Sequence, residues 1–124
     1  MNHRQLADIA INHLKELSGV TKIILYGSVA RETSSEKSDI DIAIILDDSM
    51  RFYPLDMEGY PEGYQTEVKK LTNPLEDRYN IKFHIPLYYE SELEEGIKLG
   101  KDILNRVGII KFSLFDLEEY VSQN

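Results

Sequence analysis

Two short stretches, Tyr26-Gly27-Ser28-Val29-Ala30-Arg31 and Ser38-Asp39-Ile40-Asp41-Ile42, decide how the rest of this sequence is interpreted. The first is a Gly-Ser turn at the end of an apolar run, and the second places two carboxylates at the start of another apolar run. Alternate residues of a β-strand point to the same face, so Asp39 and Asp41 would share a face with their backbones roughly 6–7 Å apart. The sequence therefore predicts two carboxylates that converge on divalent cations.

The residue types around these carboxylates suit a nucleotide and its metal ions. Magnesium prefers oxygen ligands and is usually held by one or two carboxylates together with substrate phosphates. Two such cations can share one site, where one activates the attacking oxygen and the other stabilises the leaving group. Gly27 lets the backbone approach a phosphate closely, the Ser28 hydroxyl can donate to it, and Arg31 can neutralise developing charge.

A simpler interpretation is that Asp39 and Asp41 form the polar face of a half-exposed strand. Asp-x-Asp is a weak motif when it stands alone, and Gly-Ser at the end of a strand is weaker. The combination is more specific, because both motifs occur in this order and both adjoin apolar strands.

The surrounding chain has the pattern of an α/β (α+β) protein. Apolar spacing predicts helices at His3–Ser18 and Tyr64–Tyr79, the second with a kink or a new start at Pro74. A capping box at Ser91 predicts a further helix, and a short strand and a last helix are expected after it. Apolar runs, one of them with an Ile face that packs on helices, predict strands at Lys22–Tyr26, Asp39–Leu46 and Ile81–Leu87.

The segment between the second strand and the second helix, Arg51–Gly63, is rich in Pro and Gly and is predicted to be an irregular loop. It carries Phe52, Tyr53 and Tyr60, and Tyr64 follows directly. Tyrosine is well suited to anchoring a protein interface, so these aromatic residues are one candidate partner surface. The alternative is that they pack in the core or form a lid.

Composition places the chain among ordinary folded proteins. Of its 124 residues, 42% are hydrophobic and 29% are charged, which predicts a single domain spanning residues 1–124. A formal net charge of -8 argues against broad nucleic-acid binding, which needs many Lys and Arg contacts to phosphate. Cysteine, an apolar leader and a membrane-length apolar run are all absent from the sequence, so we expect a soluble, cytoplasmic protein.

The two motifs together resemble those of the minimal nucleotidyltransferases of the DNA polymerase beta superfamily. That family has a Gly-Ser followed, after a short loop, by Asp-hydrophobic-Asp-hydrophobic, and here the ten residues Val29–Ser38 separate Ser28 from Asp39. The leading helix, the strand from Ile81 and the helix ending near Gly108 match as well, so the resemblance covers most of the chain. It implies a small mixed β-sheet flanked by helices, and magnesium-dependent transfer of a nucleoside monophosphate from a triphosphate such as ATP to a hydroxyl.

The resemblance also implies roles for individual positions. Asp39 and Asp41 would hold the metal and take part in catalysis. The residues that would bind the nucleotide are Gly27, Ser28, Arg31 and Ser38. Glu32 stands where the family commonly has a glycine.

One position departs from the family pattern in a way that bears on catalysis. The family usually carries a third carboxylate on the next long strand, and the strand pattern here puts His84 in that place, with Lys82 on the same face. A neutral imidazole can accept a proton at physiological pH, so His84 is a candidate catalytic base. It is a poor magnesium ligand, which leaves a catalytic site and a decayed site both open.

Two functions therefore compete. By resemblance, minimal members of the family often pair with a helical HEPN-type partner as the antitoxin of a toxin–antitoxin pair, so the acceptor hydroxyl would belong to that partner or to a small molecule. The alternative is a catalytically decayed module that binds and regulates a partner protein by contact. A homo-oligomer is compatible with either function.

Overall fold

The computed structural model describes residues 1–30 and 34–92, which form a mixed β-sheet with helices packed on it. The α/β (α+β) class and the small mixed sheet expected from the sequence are confirmed. Helical backbone begins again at residue 90. In chain order, the elements before it are α1 (His3–Leu14), β1 (Val20–Tyr26), α2 (Gly27–Ala30), β2 (Ile40–Leu46), a 3₁₀ helix (Asp48–Phe52), α3 (Tyr64–Tyr79), β3 (Phe83–His84) and β4 (Leu87–Tyr89).

Strand β2 lies between β1 and the line formed by β3 and β4. It pairs antiparallel with β1 and parallel with both β3 and β4. The two short strands pair with β2 in the same register, because Ile40 lies opposite Phe83 and, four residues further along both strands, Ile44 lies opposite Leu87. They are therefore two parts of the predicted strand Ile81–Leu87, which continues to Tyr89.

Pro86 accounts for the interruption between β3 and β4. Its carbonyl accepts a hydrogen bond from the Ile44 N–H at 3.0 Å. Proline has no N–H to donate to β2 in return. The strand thus passes through the proline with one ladder bond missing.

One face of the sheet is buried against α1 and α3. The predicted Ile face of β2 lies there, and Ile40, Ile42, Ile44 and Leu46 are each 0% exposed. Burying an aliphatic side chain of this size stabilises a fold by about 1.5–3 kcal/mol, so this face is the main support of the sheet. The buried residues of α1 and α3 in the same cluster are Leu6, Ala7, Ala10, Ile11, Leu14, Tyr64 and Val68.

Helix α1 ends earlier than predicted. It begins at His3, where the Asn2 side chain accepts a hydrogen bond from the N–H of Gln5, but it stops at Leu14 instead of Ser18. The N–H groups of Glu16 and Leu17 bond to carbonyls three residues back, Glu16 to His13 at 3.2 Å and Leu17 to Leu14 at 3.1 Å. Such bonds tighten and close a last helical turn.

Helix α3 runs without a break through Pro74, so the predicted new start at that residue is wrong. Val68 before the proline and Leu75 and Tyr79 after it pack on the same core cluster. This shared packing outweighs the one backbone hydrogen bond that the proline cannot make. In the described part of the chain, no helix is long and apolar enough to cross a membrane.

The helix predicted to be capped by Ser91 begins earlier, at residue 90. The Glu92 carboxylate accepts a hydrogen bond from the Tyr89 N–H at 3.0 Å, which is one half of a capping box centred on Tyr89. Ser91 instead donates its hydroxyl to Asp48 at 2.8 Å. Most of this helix, and the strand and helix predicted after it, lie outside the described residues.

Candidate active site

Three polar side chains line up where β1, β2 and β3 lie side by side. Tyr26 is opposite Asp41 in the antiparallel pair, and Asp41 is opposite His84 in the parallel pair. Residues directly opposite one another on neighbouring strands project from the same face. The adjacent residues Ile40 and Ile42 are buried in the core on the other face. The sheet thus presents a polar row, Tyr26–Asp41–His84, away from its main core.

Asp41 and His84 are in direct contact. Nδ1 of His84 lies 3.3 Å from Oδ1 of Asp41, and the two side chains are 67% and 25% exposed. An ionised carboxylate only accepts hydrogen bonds, so a hydrogen bond in this contact requires the imidazole hydrogen on Nδ1. The Nε2 lone pair of the neutral ring is then directed elsewhere and can accept a proton.

Gly27 lies against the same carboxylate. It follows β1 directly and has a φ of +73°, in the left-handed region that favours glycine. A Cβ at this position would collide with Oδ2 of Asp41. Glycine is therefore required for its backbone conformation and for its lack of a side chain, and the turn after β1 lies close to the carboxylate.

A short turn before β2 positions Ser38 and Asp39. The Ser38 hydroxyl accepts a hydrogen bond from the Ser35 N–H at 2.9 Å, and His3 donates from Nε2 to the Ser38 carbonyl at 3.0 Å. Asp39 is exposed and lies directly before β2, two residues from Asp41. The Ser38 hydroxyl supports the turn that leads to both carboxylates, and their convergence on one face stays a prediction from strand alternation.

The two other predicted nucleotide-binding residues are Ser28 and Arg31. Ser28 is the second residue of α2 and is half-buried. Arg31, like Glu32, lies outside the described residues.

The donor set suits a metal ion that arrives with a nucleotide. Within residues 1–30 and 34–92, no three His, Asp or Glu side chains are grouped so that they hold a metal ion by themselves. Asp39 and Asp41 still fit magnesium, because that ion commonly takes one or two carboxylates and completes its shell with phosphates and water. The imidazole of His84 does not suit magnesium, which favours oxygen.

Tyr26 is a site residue that sequence reasoning did not single out. Burial raises the pKa of Tyr26 well above its usual value, and the Asp41 carboxylate and Tyr88 raise it further. Its hydroxyl therefore stays protonated at physiological pH and is a hydrogen-bond donor next to the site. The sequence feature that could have identified Tyr26 as a site residue is its position directly before Gly27.

The four aromatic residues of the candidate partner surface divide into two pairs. Phe52 and Tyr53 are 91% and 60% exposed. Tyr64 is buried and donates its hydroxyl to a backbone carbonyl in the α1–β1 turn at 2.7 Å. Tyr60 stacks on Tyr89 with the ring centroids 5.1 Å apart. The packing interpretation therefore applies to Tyr60 and Tyr64, and the interface interpretation remains for the exposed pair.

A small mixed sheet that presents a Gly-Ser turn against an Asp-x-Asp strand is the architecture of a nucleotidyltransferase-like α+β protein. A family model described as "Nucleotidyltransferase domain" matches residues 8–104. The chain belongs to this family, and the resemblance drawn from the two motifs is confirmed.

Two curated relatives show a more distant similarity. The chain is 29% identical over 96 residues to the Holliday junction branch migration complex subunit RuvB of Staphylococcus haemolyticus, which covers 77% of this chain and 27% of that protein. It is 30% identical over 108 residues to the subunit of the same name in Staphylococcus aureus, which covers 86% of this chain and 30% of that one. The chain thus spans less than a third of these relatives, and the family assignment rests on the domain match.

Proposed function

We propose that this protein is a magnesium-dependent nucleotidyltransferase that transfers a nucleoside monophosphate from a triphosphate, with ATP as the proposed donor, to a hydroxyl group. One observation carries the proposal. The Asp41 carboxylate lies against Gly27 and beside His84, so the residues proposed to hold the metal, contact the phosphates and act as base are neighbours. Membership of the nucleotidyltransferase domain family supports the general reaction.

In this proposal Asp39 and Asp41 hold magnesium together with the triphosphate. The ion, when bound, neutralises charge on the phosphates. The turn at Gly27 has no Cβ, so its backbone can approach a phosphate oxygen closely. The residues proposed to bind the nucleotide are Gly27, Ser28, Arg31 and Ser38.

His84 is the proposed base. Nδ1 of His84 faces Asp41 at 3.3 Å, which leaves Nε2 to accept the proton of the acceptor hydroxyl. The hydroxyl oxygen then attacks the α-phosphorus, the bond to the β-phosphate oxygen breaks, and pyrophosphate leaves. The imidazole is 67% exposed, so an acceptor can reach it.

The proposed acceptor is a hydroxyl on a helical HEPN-type partner protein or on a small molecule. With such a partner, the protein would act as the antitoxin of a toxin–antitoxin pair. The family resemblance supports this role, and the net charge of -8 together with exposed Phe52 and Tyr53 offers a surface for a basic protein. We also propose that the protein is cytoplasmic and that a homo-oligomer, where one forms, uses a surface other than this one.

The imidazole at residue 84 also favours a second function, a decayed module that regulates its partner by contact. His84 stands where the family usually has a third carboxylate, and in the parts of the chain described above no three-residue ligand group is present. If two carboxylates are too few to hold the metal and nucleotide, transfer stops while binding of the partner persists.

Label transfer from a nucleoside triphosphate tests both functions. The protein is incubated with magnesium, labelled ATP and the candidate partner, and Asp39→Asn and Asp41→Asn are compared with Asp8→Asn, a change at an exposed carboxylate on α1. We expect the first two variants to lose label transfer by about a hundredfold or more, because a catalytic metal contributes several kcal/mol. The Asp8→Asn control should transfer label as the wild type does.

The result that contradicts the enzymatic function is the absence of label transfer by the wild-type protein with every nucleotide and partner. If the partner is then neutralised equally by wild type, Asp39→Asn and Asp41→Asn, the decayed module is the correct function. Circular dichroism of each variant checks that the fold is intact.

A further inference from the structure

A groove distinct from the candidate active site lies between the α1–β1 turn, the 3₁₀ helix and the start of α3. This groove has a volume of 530 Å³. Most of its lining is apolar, with Met50 and Tyr64 buried and Tyr53 exposed at its rim. Its apolar residues are Leu17, Met50, Tyr53, Pro54, Pro61 and Tyr64.

The charged residues around this groove are all carboxylates. Glu16, Glu62 and Glu67 line it, and its described lining contains no Lys, Arg or His. Glu67 is paired with Lys70 at 3.1 Å. Within residues 1–30 and 34–92, Glu16 and Glu62 form no ion pair. The groove therefore combines an apolar floor with a negatively charged rim.

The loop next to the groove exposes several large apolar side chains. Phe52 and Tyr53 are 91% and 60% exposed, Leu55 is also exposed, and Met57 is fully exposed. Isolated exposed apolar residues are ordinary on protein surfaces, but a group of them commonly marks an interaction site. Here four such residues occur within residues 52–57, and one of them, Tyr53, lines the apolar groove.

This loop is held in place by contacts within the domain. Leu55 and Pro61 form an isolated antiparallel bridge, and the Asp56 N–H donates to the Tyr60 carbonyl at 2.7 Å. The Tyr60 ring stacks on Tyr89. The apolar side chains are therefore presented on a supported turn, which lowers the ordering cost of binding.

The groove is separate from the polar row of the candidate active site. The polar row includes Asp41, whereas Leu46 lies at the opposite end of β2, next to the segment that carries Met50. Leu46 is five residues further along the strand than Asp41, which corresponds to roughly 17 Å. A ligand in the groove would therefore not need to contact the nucleotide site.

This inference rests on the partner-binding role in the proposed function: we propose that the groove and the adjoining loop bind a cationic amphipathic segment of that partner protein. The apolar side of such a segment packs on the groove floor and on Tyr53, and its Lys or Arg side chains meet Glu16 and Glu62. A second copy of this chain is a poor occupant, because its net charge of -8 would meet the same carboxylates.

Fluorescence anisotropy with defined peptides tests the proposal. The probe is a labelled amphipathic peptide of Lys and Leu, about 14 residues long so that it can form a helix. The comparison peptide has the same pattern with Glu in place of Lys. We expect the full chain to bind the Lys peptide and not the Glu peptide. Tyr53→Ser and the pair Glu16→Lys/Glu62→Lys should each weaken binding about tenfold.

The control is Glu36→Lys/Asp77→Lys, which makes the same change in net charge at exposed positions outside the groove. It should change affinity by less than about twofold at physiological ionic strength, where distant surface charges are screened. Equal weakening by both charge-reversal pairs would overturn the proposal, as would failure of the Lys peptide to bind. The oligomeric state of the protein is measured by analytical ultracentrifugation. A dimer that the Tyr53→Ser substitution dissociates would also overturn the proposal, because the groove would then be occupied by a second copy of the chain.

Discussion

The Asp41 carboxylate occupies the space that any side chain at Gly27 would need. Gly27 follows β1 directly with a φ of +73°, and Asp41 lies on the neighbouring strand opposite Tyr26. The Gly-Ser and Asp-x-Asp motifs, which are separated by ten residues in the sequence, therefore form one packed unit. The position of the metal-binding candidate depends directly on the absence of a side chain in the turn.

Gly27→Ala should destabilise the protein and impair nucleotide binding. Gly63→Ala is the matched control, because Gly63 has a φ of +76° but no atom lies within 4 Å of a Cβ built there. The strained backbone alone should cost each variant about 1–3 kcal/mol of unfolding free energy. Gly27→Ala should lose more, because it also displaces Asp41. Denaturant unfolding and calorimetric titration with magnesium and a nucleotide measure both effects, and equal losses in the two variants would contradict this contact.

His84→Asp should strengthen binding of a divalent metal. His84 touches Asp41, so a carboxylate at residue 84 would add an oxygen ligand beside an existing one. We expect magnesium or manganese to bind about tenfold more tightly in the presence of nucleotide. His84→Asn is the control that removes the imidazole without adding charge. Unchanged metal affinity in His84→Asp would show that residue 84 lies outside the metal-binding region.

The same pair of variants separates an active site from a decayed one. If His84 is the base, wild type transfers label, His84→Asn loses transfer, and His84→Asp keeps part of it. If the site has decayed through the loss of a carboxylate, transfer appears only in His84→Asp. Label transfer that His84→Asn leaves unchanged would exclude His84 as the base.

The sequence was sufficient to predict the features that depend on alternation along strands. The side chains of Ile42 and Asp41 point to opposite faces whatever the partner strands are, so the face that packs in the main core and the face that carries Asp41 could both be assigned. The second face is polar at Asp41 but apolar further along, because Ala43 and Ile45 are buried in a smaller cluster with Ile24. The same alternation on the third strand put His84 on the polar side, and the observed register brings it to Asp41.

Features that depend on tertiary packing could not be predicted from local patterns. Pro74 is a local signal for a helix start, but core contacts on both sides of it keep α3 continuous. Ser91 is a good local cap, yet the Glu92 carboxylate caps the backbone at Tyr89. Tyr26 joins the site only through its cross-strand neighbour, which a single strand pattern does not reveal.

Pro74→Ala should stabilise the protein. Residue 74 is exposed within α3, so the substitution removes no buried contact and restores a backbone N–H to the helix. A proline in a helix interior costs about 3 kcal/mol, and greater freedom of the unfolded chain offsets part of the gain. We expect the unfolding free energy to rise by about 1–2 kcal/mol. Pro54→Ala, at an exposed loop position, should give no gain, and a similar gain there would contradict the helix-specific cause.

Tyr64 should make the stability of the fold fall at alkaline pH. Burial raises the pKa of Tyr64 from 10.0 to about 12. Below pH 10 the tyrosine is protonated in both the folded and the unfolded state, so its contribution to the free energy of unfolding is fully present. Between pH 10 and 12 only the unfolded state has released the proton, so stability declines as the pH rises through this range. Denaturant unfolding at a series of alkaline pH values should show this decline.

Tyr64→Phe should make that decline shallower, by an amount that corresponds to at most one proton per molecule. The variant also loses the hydrogen bond from the Tyr64 hydroxyl to the Ser18 carbonyl at 2.7 Å, which should lower stability at neutral pH by about 0.5–1.5 kcal/mol. Tyr53→Phe, at an exposed ring, should change neither quantity. Because the hydrogen bond acts at every pH below 10 and the titration acts only above it, the two effects can be measured separately in one pair of variants. An alkaline slope that Tyr64→Phe leaves unchanged would show that another group causes the decline.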